Sequence, residues 1–218
     1  METEKIASDA KRRCYQCLAE VDAARMRNHV GEHILKAMRG VQEDLRGQQV
    51  VPSELPCGFC GRPERLCTAP TMTKGTSRST PQARSECPYY RLFFYQPSLK
   101  PSPATPCTNV PIICMVPGCK AAKDGNWTAV WKYNMVEHLR QCHPSYGLES
   151  TPRLDGLIPL PPAMQHEMHI SDEEERALRI PAELIPYKSP LPRIATPELA
   201  ESTGTARKAK KRRLNRDK

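Results

Sequence analysis

Apolar residues come in short, interrupted bouts along this chain, and the longest helical signal lies on its N-terminal side. Val30, Ile34, Ala37, Met38 and Val41 recur at helical spacing. Asp22 stands where an N-cap belongs, Val21 and Met26 flank it as an apolar staple, and Gly40 is the expected stop. A stripe this long predicts that the helix docks on another part of the protein. Tyr90–Tyr95 and Val110–Ile113 read as strands. Trp127, Trp131 and Tyr133 read as a strand and core before a helix from about Met135 to Cys142, with Asn134 and Glu137 as a capping-box-like start. Ser171 with Glu174 is a capping box for a short helix over 172–179, stopped by Pro181. Residues 49–56 read as a linker, and 68–86 and 97–106 as loops. No apolar run reaches the roughly 18 residues of a membrane span.

Composition then excludes a single large core. Of 218 residues 39% are apolar, only three are Phe and 22 are Pro, which argues against a doubly wound sheet or barrel. The start, METEKIASDAKRRC, has no apolar stretch of the secretory kind, so the ten Cys are assigned to a reducing compartment. There thiols bind metal more often than they form disulfides. The expected fold class is small α+β zinc-bound domains of zinc-finger type, with extensive disordered Pro-rich and basic C-terminal regions. The expected divisions are a disordered leader (1–13), a C2H2-like finger with an extended helix (14–48), a Cys/His-rich double zinc module (57–147), an acidic Pro-rich linker (148–204) and a basic tail (205–218).

Three groups of ligands suggest metal. Cys14 and Cys17 are followed, eleven residues on, by His29 and His33. A knuckle presents two thiolates to one ion, and two His four apart share one helix face. Cys57 and Cys60 form a second knuckle, for which Cys67, Cys87 and Cys107 are the available partners; zinc needs two of them, and the spacing does not choose. Cys114 with Cys119 and His138 with His143 form a third group, with Cys142 as an alternative to His143. Two to three structural Zn2+ ions are expected.

Charge adds a partner. The net charge is +9, divided into +7 over 1–148, −5 over 149–204 and +7 over 205–218. This asymmetry points to an anionic partner, nucleic acid first. Lys208, Lys210, Lys211, Arg212 and Arg213 form a run of the nuclear-import kind. If the first helix reads bases, positions −1, 3 and 6 are Asp22, Arg25 and Asn28, and Arg25 and Asn28 are the competent readers.

The segments RMRNHVGEHIL (25–35), PCGFCG (56–61), PCTNVP (106–111) and VWKYNMVEHLRQCHP (130–144) resemble a family of multi-zinc-finger proteins of mushroom-forming fungi. The resemblance covers about 14–147. Family members usually carry C-x2-C where this chain has Cys114-x4-Cys119, which loosens the ligand assignment there. The resemblance implies a zinc-bound nuclear protein with ancestry among mobile elements, and it adds no catalytic residue.

The resulting expectation is a nuclear zinc-binding protein that is not an enzyme and has a regulatory role on DNA or chromatin, with weak specificity. No Gly-rich phosphate loop and no Ser/His/Asp arrangement is visible. The alternative is a zinc-braced adaptor without direct DNA binding, whose protein partners meet the 148–204 region. No membrane association is expected.

Overall fold

The short apolar bouts become short elements. The structure, a computed structural model, describes residues 11–73, 80–119, 126–147, 157–188 and 190–193. The fold is a small α/β arrangement of short strands and few helices. Strands β1 (Lys11–Arg13) and β2 (Glu20–Asp22) pair antiparallel, with Arg12 opposite Val21, and the first knuckle fills the loop between them. Part of the expected leader is therefore a strand. Helix α1 (Met26–Met38) starts later than expected, at Arg25, with no side-chain cap. Asp22 is held in the ladder opposite Lys11, and a turn from the Arg25 N–H to the Asp22 carbonyl (2.8 Å) separates it from the helix. The predicted stop at Gly40 is present. Its φ of +72° lets the Val41 N–H reach the Lys36 carbonyl and the Gly40 N–H the Ala37 carbonyl, which satisfies the end of the helix.

The stretch 68–86, expected as loop, holds β3 (Thr71–Thr73) and β4 (Gln82–Arg84). They form a three-stranded antiparallel sheet in the order β4-β3-β6, where β5 is Pro111–Ile112 and β6 is Asn126–Thr128. Strand β5 pairs with β7 (Val130–Trp131). The expected strand over Tyr90–Tyr95 does not form. Its aromatic side chains spread to separate anchors instead: Tyr90 Oη donates to the Ala83 carbonyl and Tyr95 Oη to the Pro111 carbonyl, both at 3.0 Å. Helix α2 (Met135–Cys142) matches its predicted span, but Asn134 does not cap it; its side-chain amide donates to the Pro56 carbonyl at 2.9 Å.

The largest departure lies in the Pro-rich linker. Strand β8 (Tyr146–Gly147) pairs in parallel with β9 (Ile158–Pro159), and helices α3 (Pro162–Met168) and α4 (Asp172–Ala177) follow. The Ser171 cap is present, its Oγ accepting from the Glu174 N–H at 3.1 Å. Residues 157–188 pack into the body as a strap, so the disorder expected of the linker does not hold there. Leu160, Met164 and Met168 recur every four residues and bury against Val110, Ile112, Met135 and Leu139. Ile170, Leu178 and Ile180 bury with Met26, Val30, Ile34 and Leu35 of α1, around Cys107 and Tyr133. The same cluster takes in Val50 of the expected linker. The two predicted zinc units therefore share a core, and α1 docks as its stripe required. Gly31 permits the close approach: a Cβ there would stand 2.2 Å from Cys107 Sγ.

Polar contacts lock the strap. Glu174, 1% exposed, accepts from the Thr108 N–H, the Thr108 hydroxyl and the Tyr133 hydroxyl, each at 2.6 Å, with Lys132 Nζ at 3.8 Å. Glu175, fully buried, pairs with Arg39 and Lys188. A buried carboxylate persists only with such partners. Met164→Ala should therefore destabilise the protein by about 2–5 kcal/mol in denaturant unfolding, and Glu174→Ala by about 3–5 kcal/mol. A free linker would show changes within about 0.5 kcal/mol.

Candidate metal centres

Three quartets of ligand atoms converge: Cys14, Cys17, His29 and His33; Cys57, Cys60, Cys67 and Cys87; and Cys114, Cys119, His138 and His143. Within each, the ligand atoms lie within 4.8 Å of one another. A tetrahedral zinc with N and S ligands sets its ligand atoms roughly 3.3–3.8 Å apart. Cys17 Sγ stands 3.2 Å from His29 Nε2, His29 Nε2 3.3 Å from His33 Nε2, and Cys119 Sγ 3.4 Å from His138 Nε2. These separations fit a shared ion.

In the first centre, the β1–β2 loop turns tightly enough for the Leu18 N–H to reach the Cys14 carbonyl at 3.1 Å, which puts both thiols on one side. The two His stand one turn apart on α1. His33 Nδ1 meets Glu43 at 2.9 Å, and Glu43 is held in turn by Lys36 at 3.1 Å. A proton on Nδ1 directed at Glu43 leaves the Nε2 lone pair for a metal. Burial works against ionisation of Cys14, yet bonding to His29 and His33 brings its pKa down to about 5. Burial likewise opposes charge on His33, but Cys14 and Glu43 raise it to about 10. Without an ion the pair thus favours thiolate beside imidazolium, and an ion bound there would take the place of the proton on His33 Nε2.

The second centre is buried throughout. The Cys57 N–H bonds the Arg62 carbonyl at 2.8 Å and the Gly61 N–H bonds the Cys57 carbonyl at 2.7 Å, which closes the knuckle. The Tyr89 N–H points at Cys87 Sγ at 3.4 Å. The thiols contend for the same protons: bonding with Cys60, then Cys67 and Cys87, pushes Cys57 up, while bonding with Cys57, Cys60 and Cys67 pulls Cys87 down. Trp131 packs edge-on against Phe59, ring centroids 4.8 Å apart, and roofs the site.

Cys67 and Cys87 complete this quartet, and Cys107 stands outside all three. The reason is the pairing of its neighbours. Asn109 Oδ1 accepts from the Tyr133 N–H at 3.1 Å and the Lys132 N–H bonds the Val110 carbonyl at 2.9 Å, which draws the Cys107 segment toward α1. There its sulfur accepts from the Asn109 N–H at 3.4 Å and meets the Tyr133 hydroxyl at 3.6 Å, and burial pushes its thiol pKa up. It is a core thiol.

The third centre joins His138 within α2 to His143 at its C-cap, ring centroids 5.2 Å apart. Cys142 is exposed and outside the quartet. His143 Nε2 is buried without a hydrogen-bond partner among the described residues, and a coordinated cation would satisfy its lone pair. Partial burial, then bonding with Cys119, raises Cys114 to about 11.

The sequence-predicted nucleic-acid contacts fare differently. Arg25 is exposed, but with α1 beginning at Met26 it stands just before the helix rather than at its third position. Asn28 is half-buried with its Oδ1 enclosed, and Arg27 is turned inward, donating to the Asn109 carbonyl at 2.9 Å and to Ser98 Oγ at 3.1 Å. Lys208, Lys210, Lys211, Arg212 and Arg213 lie outside the described residues. The Glu174 receptor at Thr108, Lys132 and Tyr133 went unforeseen, although the Leu160–Met164–Met168 stripe was a readable signal for the strap that carries it.

Comparison with models of known protein families, with curated proteins and with solved structures finds no match. Among the described residues, no helix is long and apolar enough to cross a membrane. The class that the geometry defines is a small α/β protein with three Cys/His clusters compatible with structural zinc. By native mass spectrometry, Cys107→Ser and Cys142→Ser should retain the full metal complement, and Cys87→Ser should carry one ion fewer.

Proposed function

We propose that this chain is a zinc-braced nuclear binding protein that associates with nucleic acid or chromatin and performs no catalysis. The carrying observation is that each of the three clusters supplies four protein ligands. Thiolate and imidazole sets of this kind suit zinc, and four protein ligands leave no open position for a reactive water. Zinc here contributes folding free energy, and it does so in a chain short of apolar residues. The net charge of +9 favours a polyanion. Because α1 is docked through Val30, Ile34 and Leu35, the association is with backbone phosphate rather than with base edges, and specificity is low. The basic run over 208–213 serves nuclear import.

The adaptor reading rests on a different observation. Leu92 and Phe94 are 75% and 85% exposed, a surface that suits a protein partner better than a phosphate. The strap, by contrast, uses Glu174 and Glu175 internally.

Fluorescence anisotropy of the full chain with labelled duplex DNA tests the main reading. Binding should be micromolar or weaker at physiological salt, should fall linearly on a log–log salt plot, and should show little sequence preference. Salt-independent or absent binding favours the adaptor. Deleting 207–218 from a fusion too large to diffuse through nuclear pores should move it to the cytoplasm; unchanged accumulation rules the run out as the import signal. Excess chelator should unfold the body, read by circular dichroism.

A further inference from the structure

We infer that Arg12 and Arg62, seated on the rings of Tyr15 and Tyr89, form the phosphate-binding surface through which this protein holds nucleic acid; the inference deepens the association proposed above and rests on it. The Arg12 guanidinium carbon lies 5.5 Å from the Tyr89 ring centroid. That of Arg62 lies 5.3 Å from the Tyr15 centroid and 5.8 Å from that of Tyr89. These are cation–π distances. Two cations thus share the Tyr89 ring, and a second ring holds one of them.

What separates this pair from Arg27, also seated over a ring, is that among the described residues no hydrogen bond or carboxylate engages either guanidinium. Arg27 also lies over a ring, Phe93, at 4.7 Å, but its nitrogens are engaged by Asn109 and Ser98. Arg39 pairs with Glu175, Arg65 with Glu54, and Arg140 with Glu137. Among the described residues, neither Arg12 nor Arg62 is paired with a carboxylate. Strand geometry sets Arg12 apart from its two basic neighbours. Lys11 and Arg13 stand opposite Asp22 and Glu20 in the β1–β2 ladder, while Arg12 stands opposite Val21 and its side chain takes the other face. Two like charges gathered on one ring without an acid repel each other, and an incoming anion relieves that repulsion.

The seat is rigid because the metal centres build it. Tyr15 lies between Cys14 and Cys17. The Arg62 carbonyl accepts from the Cys57 N–H, and the Tyr89 N–H points at Cys87 Sγ. The Tyr89 hydroxyl donates to the Arg13 carbonyl at 2.9 Å, which ties the second centre to the first hairpin. A guanidinium held over a ring spends no N–H on that contact, and its planar fork matches a phosphate. Nucleic acid is favoured over a phosphorylated peptide because the chain carries a second basic segment, 205–218 at net +7, and repeated phosphates reward both at once.

The test uses the full, zinc-loaded chain with a labelled single-stranded oligonucleotide and the matching duplex, titrated by anisotropy across a series of salt concentrations. Arg12→Ala with Arg62→Ala should lower the log–log salt slope by about 1.8 on duplex and about 1.4 on single strand, the loss of two phosphate contacts. Lys11→Ala with Arg13→Ala removes the same formal charge from the opposite face of the strand, which lies across from Asp22 and Glu20, and should leave the slope at its wild-type value. Tyr89→Leu keeps every charge and should still weaken binding. Metal counts by native mass spectrometry show that each variant is folded, and Arg12→Gln with Arg62→Gln replaces any alanine pair that loses metal. Equal slopes for the two double variants would overturn the surface while leaving the association standing. No salt-dependent binding by the wild type to either probe would overturn the association itself. Tighter binding to a phosphopeptide than to either oligonucleotide would overturn nucleic acid as the partner.

Discussion

Four soft ligands brought within 4.8 Å of one another, at three places in one short chain, set the constraint around which the rest is arranged. Four thiols cannot all ionise side by side in a buried site without a cation, because burial and mutual repulsion both favour the protonated forms. The second centre shows the conflict plainly in the opposed shifts of Cys57 and Cys87. A divalent ion held at each site would resolve it and would close three long loops at the same time. That closure matters in a chain with 39% apolar residues and 22 prolines, where regular secondary structure supplies little of the framework. Among the described residues the strands are two or three residues long.

The ligand clusters do not stand as separate beads. Helix α1 brings two ligands to the first centre from one face and buries the other against Cys107, Tyr133 and the strap. A DNA-reading finger leaves its helix free to enter a groove; here one face of the helix is packed in the core, Asn28 is half-buried, and Arg25 stands exposed just before the first turn. Glu174 then joins the strap to the segment carrying Thr108 and to the turn carrying Lys132 and Tyr133. A carboxylate buried this deeply accepts every donor available to it, so the strap has one seating and little tolerance for others. The strap thereby turns two expected modules and a linker into one packed body.

The same constraint shapes the surface. Backbone groups committed to the knuckles hold Tyr15, Arg62 and Tyr89 in fixed positions, and a charge pattern that is merely basic in composition becomes a defined arrangement. Lys11 and Arg13 stand across from Asp22 and Glu20 in the hairpin, while Arg12 and Arg62 stand over aromatic rings.

The parts legible in the sequence were those set by neighbours a few residues away. Both two-residue Cys knuckles, the i, i+4 pair His29 and His33, the Gly40 stop, the Ser171 cap and the span of α2 all follow from local dihedral geometry and short-range hydrogen bonds. The docking of α1 was legible as well, since an apolar stripe must be covered by something. Only the tertiary structure decided which of Cys67, Cys87 and Cys107 complete the second centre. All three lie in stretches whose path depends on distant pairing, and the hydrogen bonds from the Tyr133 and Lys132 N–H groups to Asn109 and Val110 carry Cys107 away. The displaced start of α1 has a similar cause, because Asp22 is claimed by a strand partner eleven residues earlier, Lys11. The Pro-rich strap hid for a thermodynamic reason. Its composition alone reads as unable to bury a core, yet Leu160, Met164 and Met168 need only a complementary surface, and Val110, Ile112, Met135 and Leu139 from far along the chain supply it.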